Sequence, residues 1–197
     1  DNFTLKQDTA YSYINLYGSV YWIHLFNYKL FAVTSGIFSR YRFNVRSESS
    51  LENAFKLNYQ ILYNELKTDF TYIPEPNHQF RMGANAIFYQ LNPGTQVPLN
   101  PESLIRSQTL EQEQAVESSI YISDEWDVNP RLKLYGGIRL SGYALLGPNF
   151  VNQYRPGQPL QPENIIDSTQ YGSGSLVKFY GGPEIRLSAR YALDEKS

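Results

Sequence analysis

Cysteine is absent from the 197 residues, which excludes a disulfide framework and any thiolate-held metal. No stretch of eighteen apolar residues occurs, so the chain has no segment from which a transmembrane helix could be built. Neither sign of charge dominates: 17 Lys and Arg stand against 19 Asp and Glu, for a net charge of −2. Overall electrostatics therefore favour neither nucleic acid nor anionic lipid as a partner. Only two histidines are present, His24 and His78. Neither has a second histidine or a carboxylate at metal-ligand spacing, so both read as ordinary turn or boundary residues. GxSxG, HExxH and phosphate-cradling glycine loops are missing too. The reading is of a protein that is not an enzyme, with no catalytic residue, no metal and no cofactor. The polar opening from Asp1 lacks an apolar signal core, so an exported protein would be represented here by a mature chain or a piece. Asn2-Phe3-Thr4 matches a glycosylation acceptor by chance.

Aromatic residues, in contrast, are plentiful: 17 Tyr and 11 Phe against 2 Trp and 1 Met. Tyrosine has a wet end and an apolar end, which suits a boundary between water and hydrocarbon. The strongest pattern lies in residues 131–145, RLKLYGGIRLSGYAL. Leu132, Leu134, Gly136, Ile138, Leu140 and Ala144 alternate with Arg131, Lys133, Tyr135, Arg139, Ser141 and Tyr143. In a strand these sets fall on opposite faces. The run exceeds the usual strand of a soluble sheet and is long enough to cross a bilayer core, which needs roughly 9–11 tilted residues.

Six further segments alternate in the same way: 13–26, 30–46, 57–73, 79–91, 115–127 and 177–193. In 30–46 the more apolar set is Phe31, Val33, Ile37, Tyr41, Phe43 and Val45, opposite Thr34, Gly36, Arg40, Arg42 and Asn44. In the others the apolar sets are led by Leu16, Val20 and Trp22, by Leu62, Leu66 and Phe70, by Phe80, Met82 and Phe88, by Val116, Ile120 and Ile122, and by Ile185, Leu187 and Ala189. Short connections fall at Tyr28-Lys29, at residues 74–78 and at residues 128–130, with a fourth starting at Asp194. Long ones cover roughly 47–56, 92–114 and 147–176. Short turns on one rim and long loops on the other are the pattern of a transmembrane barrel. The fold class is all-β: an antiparallel meander of about seven long strands, one segment of a larger barrel spanning 1–197.

Two registers follow from parity. A two-residue turn at Tyr28-Lys29 pairs the apolar sets of the first two strands. A three-residue turn at 128–130 sets Asp127 opposite Arg131 and Glu125 opposite Lys133. Gly181-Gly182-Pro183 inside the last segment reads as a bulge or bend. Trp22, Tyr72, Phe80 and Trp126 form one aromatic girdle by the short turns, and Tyr41, Phe43 and Phe88 the other toward the long loops.

Inner-face charges Arg40, Arg42, Lys67, Arg81, Arg139, Arg186 and Arg190 either pair with material inside the barrel or shape solute passage. Tyr154, Arg155, Gln158 and Tyr171, in the last long loop, are the candidate solute contacts. Glu111, Glu113 and Glu117 read as a solvated approach to a strand, and Gly172-Ser173-Gly174 as flexible loop.

Residues 22–43, 115–143 and 177–193 resemble barrel strands of TonB-dependent outer-membrane receptors of the Bacteroidetes type. In that family a strand, an Asn-Pro turn with a following basic residue, and a strand ending in Gly-x-Arg recur. Glu184, Ile185, Arg186, Leu187 and Ser188 look like its late-barrel Glu-x-Arg-Leu-Ser segment. The resemblance implies localisation in the bacterial outer membrane and energy-coupled uptake of a scarce solute such as a siderophore or oligosaccharide. The implied partners are outer-membrane lipid, a plug domain, the TonB complex and the solute. The family barrel has roughly 22 strands around its plug. Seven strands without a plug therefore imply a C-terminal wall segment, and the coupling box has no counterpart among these residues. A passive porin-like or structural outer-membrane barrel is the alternative.

Overall fold

The structure, a computed structural model, describes residues 9–193. Seven long strands form one antiparallel meander: β1 (Thr9–Asn27), β2 (Leu30–Ser47), β3 (Phe55–Tyr72), β4 (His78–Pro98), β6 (Glu113–Asn129), β7 (Leu132–Leu146) and β10 (Leu176–Tyr191). A two-residue strand, β5 (Gln108–Thr109), pairs with the end of β4. Another two, β8 (Asn149–Tyr154) and β9 (Ile165–Tyr171), form a separate ribbon. The expected fold class and all seven alternating segments are therefore observed, with strands of 15–21 residues. The short connection expected from Asp194 and the Asn2 triplet lie outside the described residues.

The long connections carry more structure than their composition indicates. Residues 92–98 continue β4, and 147–176 is largely the β8–β9 ribbon. Gly94, at φ +123°, accommodates the bulge against β3; a Cβ there would lie 2.6 Å from the Asn58 carbonyl. The first two connections are bound together: Leu104 N donates to Glu52 O at 2.8 Å and Ser103 Oγ to Ala54 O at 2.8 Å.

At the opposite rim, two hairpins share one turn. Asn27 Oδ1 accepts from the backbone of Lys29 at 2.8 Å and Leu30 at 3.0 Å. Asn129 Oδ1 accepts from Arg131 at 2.9 Å and Leu132 at 3.0 Å. Each is an Asx turn, and each has a register shift just before the asparagine. That shift corrects both expected registers. The second turn has two residues, Pro130-Arg131, so Asp127 faces Lys133 and Glu125 faces Tyr135. In the first hairpin the shift pairs Leu16 with Arg40 and Trp22 with Thr34, so the apolar sets of β1 and β2 do not face the same way.

Ladder neighbours now define the faces. One face carries Leu66, Phe70, Met82, Ile120, Ile122, Ile138, Leu140, Ile185 and Leu187, row by row across β3 to β10. We call it the apolar face. The apolar set of β1 joins it, but β2 is inverted: Thr34, Gly36, Arg40 and Arg42 lie there. Ile37, Tyr41 and Phe43 instead share the polar face with Glu65, Ile61 and Tyr59. Tyr41 and Phe43 thus leave the second girdle, whereas Phe88 remains on the apolar face. Most tyrosines also lie on the polar face, among them Tyr17, Tyr63, Tyr89, Tyr121, Tyr135 and Tyr143, not at a boundary. No bulge occurs at Pro183, which pairs with Leu140 in unbroken register. It sits on an edge strand, where a missing donor is tolerated.

Among the described residues the buried apolar set is Ala32, Val45, Ala54, Ile87 and Ala115. This single-layer sheet has no large fully buried side chain among the described residues.

Candidate functional site

The polar face holds a cavity of about 540 Å³ near its centre. Strand alternation directs into it Lys67 and Asp69 from β3, Arg81 and Asn85 from β4, Ser119, Tyr121 and Ser123 from β6, Tyr135 and Arg139 from β7, and Glu184 and Arg186 from β10. Gly83 and Gly137 leave space for the rings: a Cβ at Gly83 would lie 2.6 Å from Tyr121 Oη. Lys67 pairs with Asp69 at 2.9 Å, and Arg186 approaches Glu184 at 3.9 Å. Glu184 also accepts from Ser141 Oγ at 2.5 Å. Arg81 and Arg139 have no ion pair among the described residues, and Arg139 Nε is buried without a hydrogen-bond partner. Four cations against two carboxylates make the cavity electropositive, a setting for an anionic group.

Above the cavity, toward the long connections, the same face becomes aromatic and acidic. Tyr63 Oη donates to Glu65 at 2.5 Å, and Asn85 Nδ2 reaches the same carboxylate at 3.5 Å. Ser119 Oγ completes the chain by donating to Asn85 Oδ1. Tyr89 meets Tyr63 edge to face at 5.5 Å and donates to Glu117 at 3.5 Å. Below, Lys133 bridges Glu125 at 2.7 Å and Asp127 at 3.2 Å. The expected meeting of Glu125 with Lys133 is thus present as an ion pair, although the shifted register sets Lys133 opposite Asp127, from where it reaches Glu125 diagonally; the partners of Glu65 were not legible.

Of the expected site residues, Arg139 and Arg186 meet in the cavity, while Arg190 stands beside Lys133 nearer the short turns. Arg40 and Arg42 are not inner-face charges at all; the β1–β2 register shift places them on the apolar face. Tyr154, Arg155 and Gln158 cluster at the tip of the β8–β9 ribbon, where Gln158 N donates to Arg155 O at 3.2 Å. Tyr171 lies at the ribbon's base opposite Asn149, so the four do not form one site. Gly172 and Gly174 form that base through backbone bonds with Ser175 and Gly147.

His78 departs from its expected role. Its Nδ1 lies 2.8 Å from Asp124 Oδ2, a carboxylate far away in sequence. The imidazole stacks on Phe80 at 5.8 Å and on Trp126 at 5.3 Å, and Phe80 stacks on Tyr72 at 6.3 Å. The girdle expected near the short turns thus exists on the apolar face with a histidine–carboxylate pair inside it. No metal-holding group of His, Asp and Glu is found among the described residues.

No protein-family model matches the chain, and no curated protein matches it significantly. Solved structures of the ferric-catecholate import receptor Fiu from E. coli K12 resemble it in fold. The open form superposes with a TM-score of 0.54 at 13% identity, over 94% of this chain and 34% of that one. The closed form gives 0.55 at 16% identity, over 95% and 32%. The chain therefore spans about a third of the length of these solved chains. The likeness is one of fold: the meander matches a β-barrel receptor.

Proposed function

We propose that residues 1–197 form one continuous wall segment of a TonB-dependent receptor barrel in the bacterial outer membrane. The observation that carries this reading is the uncovered apolar face. On interior strands Leu66 is 62%, Ile120 58% and Leu140 49% exposed, in rows that continue across the whole sheet. A soluble sheet of this size would cover such a surface with a second layer. Hydrocarbon removes the need, since a closed barrel satisfies its backbone within the sheet and turns alternate side chains to lipid. From Trp126 to Val116 the band rises about 25 Å, taking about 3.3 Å per residue and a strand tilt of roughly 40°.

In this reading the polar face lines the lumen, the short turns face the periplasm and the long connections face outward. The electropositive cavity receives acidic side chains of an internal plug or an anionic solute. The likeness to a ferric-catecholate import receptor supports uptake of a scarce solute, with siderophores among the classes to be tested. Movement of the plug by the TonB complex would open the path, and this segment supplies wall and lumen lining, with no enzymatic step.

The test uses cells producing the intact protein, supplied with a panel of ferric siderophores and oligosaccharides, with and without a protonophore. Accumulation of one class that stops with the protonophore is the expected result. Accumulation that continues unchanged would replace the coupled receptor with a passive porin-like barrel.

A further inference from the structure

Arg40 and Arg42 begin a cationic run on the apolar face, continued outward by Arg46 and Lys56, whereas the strand positions of that face between Arg40 and Asp124 carry no Lys, Arg, Asp or Glu. Among the described strand positions of that face the acidic residue is Asp124, close to the short turns at the opposite end of the apolar band. The two arginines lie just beyond the band's other end, in a polar belt. Arg40 shares its row with Leu62, Gln90 and Gln114, and Arg42 shares the next with Gln60 and Asn92. Neither arginine forms an ion pair among the described residues; the nearby pair is Arg46 with Glu48 at 2.5 Å.

Two concavities flank this belt, with the Arg40–Leu62 row between them. Below it, Gly18 and Gly36 have no side chain and nothing within 4 Å of where a Cβ would stand. They open an apolar groove of about 830 Å³ bounded by Val20, Phe38, Leu66 and Phe88. Above it, a cavity of about 280 Å³ is lined by Arg42, Asn44, Asn58, Gln60 and Asn92. Arg42 Nε donates to Gln60 Oε1 at 2.8 Å, which fixes the guanidinium while its outer N–H groups stay exposed.

We propose that this junction binds one phosphorylated lipid, with an acyl chain in the Gly18–Gly36 groove and the phosphate on Arg40 and Arg42. The inference rests on the reading of the apolar face as lipid-facing. An amphiphile is the ligand class whose two halves fit an apolar groove with a cationic, amide-rich cavity on the far side of one arginine row. Arginine's planar fork matches phosphate oxygens in pairs, a geometry lysine lacks. At the edge of the band an arginine costs far less than at mid-bilayer, so the position is tolerable where the headgroups lie. The chain's net charge of −2 conceals this patch because the acids that balance it lie on other surfaces.

The intact protein, in nonionic detergent, is titrated with fluorescent lysophosphatidic acid and with lysophosphatidylcholine of equal chain length. The acid should bind at least about tenfold more tightly. The double variant Arg40→Gln, Arg42→Gln should remove that preference and leave the zwitterionic lipid unaffected, while Gly36→Leu should weaken both by filling the groove. Equal affinity for the two lipids, or a preference surviving in the double variant, overturns the proposal. Displacement of lysophosphatidic acid by inorganic phosphate alone also overturns it, by revealing a free-anion site. Each variant is checked for the heat-dependent gel shift of a folded barrel. A wild-type protein that needs no detergent and lacks that shift refutes the membrane reading, which separates that failure from loss of lipid preference.

Discussion

Ile138→Arg is the substitution that most directly probes the apolar face. Ile138 is 44% exposed and sits between Ile122 of β6 and Ile185 of β10, in a row that extends through Met82 and Phe70. It lies near the middle of the band between Trp126 and Val116, where an arginine facing hydrocarbon costs about 2–4 kcal/mol. At 1.4 kcal/mol per tenfold this corresponds to a change of about 30- to 700-fold in the folding equilibrium. Leu134→Arg, in the Trp126 row at the edge of the band, should cost less, about 0–1 kcal/mol. The control is Ser141→Arg, three residues on but on the polar face, where the new charge meets Glu184. Its cost should remain within about 0.5 kcal/mol. The assay is denaturant unfolding of the intact barrel in phospholipid vesicles, followed by tryptophan fluorescence. If Ile138→Arg costs under about 0.5 kcal/mol, or no more than Ser141→Arg, the apolar face does not meet lipid.

Two other predictions concern the rim of short turns. Asn27→Ala and Asn129→Ala each remove a side-chain acceptor used by two backbone N–H groups, so each should destabilise by about 0.5–1.5 kcal/mol and speed amide exchange at Leu30 or Leu132 respectively. Unaltered exchange in both variants would mean that the turns are held by the ladder alone. His78→Leu should cost more than Asp124→Asn in the same unfolding assay, by about 1 kcal/mol or more. It strands a carboxylate whose Oδ1 is already buried without a partner, whereas Asn keeps the acceptor without the charge. The reverse order would show that the stacking of His78 on Phe80 and Trp126 is dispensable and that the charge of the Asp124 carboxylate matters more than its partner ring.

The positions of the strands were legible because alternation is a local property. Seven segments could be located from residue character alone, and for every one but β2 the apolar face was correct as well. Site composition was half legible. Lys67, Arg81, Arg139 and Arg186 do converge, because each sits at an inward position on a strand whose parity was clear. Pairings such as His78 with Asp124, or Asn85 with Glu65, join different strands and need the register, which alternation leaves open. The β8–β9 ribbon was hidden for another reason: its strands, of 6 and 7 residues, are too short to stand out among polar loop residues.

The inversion of β2 has a cause that was present in the sequence. Phe31, Val33 and Ile37 make one set of β2 more apolar than the other, so composition alone assigns it to the apolar face. Parity in the second hairpin argues otherwise. Its polar sets lie at odd numbers on both strands, and a two-residue turn would place odd residues opposite even ones. A two-residue turn at Pro130-Arg131 is therefore compatible with that pattern only with one extra residue, and the structure has it between Asp127 and Asn129. The first hairpin repeats the same signature, Asn-x-basic-Leu, at residues 27–30 and 129–132, with the asparagine bonded alike. Equal turn chemistry implies an equal bulge, and an equal bulge places Arg40 opposite Leu16 and not with the inner charges. The turn thus outranks the side-chain composition of β2, since slipping the strand by one residue would break eighteen ladder pairings with β3. What that inversion leaves behind is an apolar wall that carries three arginines of β2, two of them beside a glycine-floored groove.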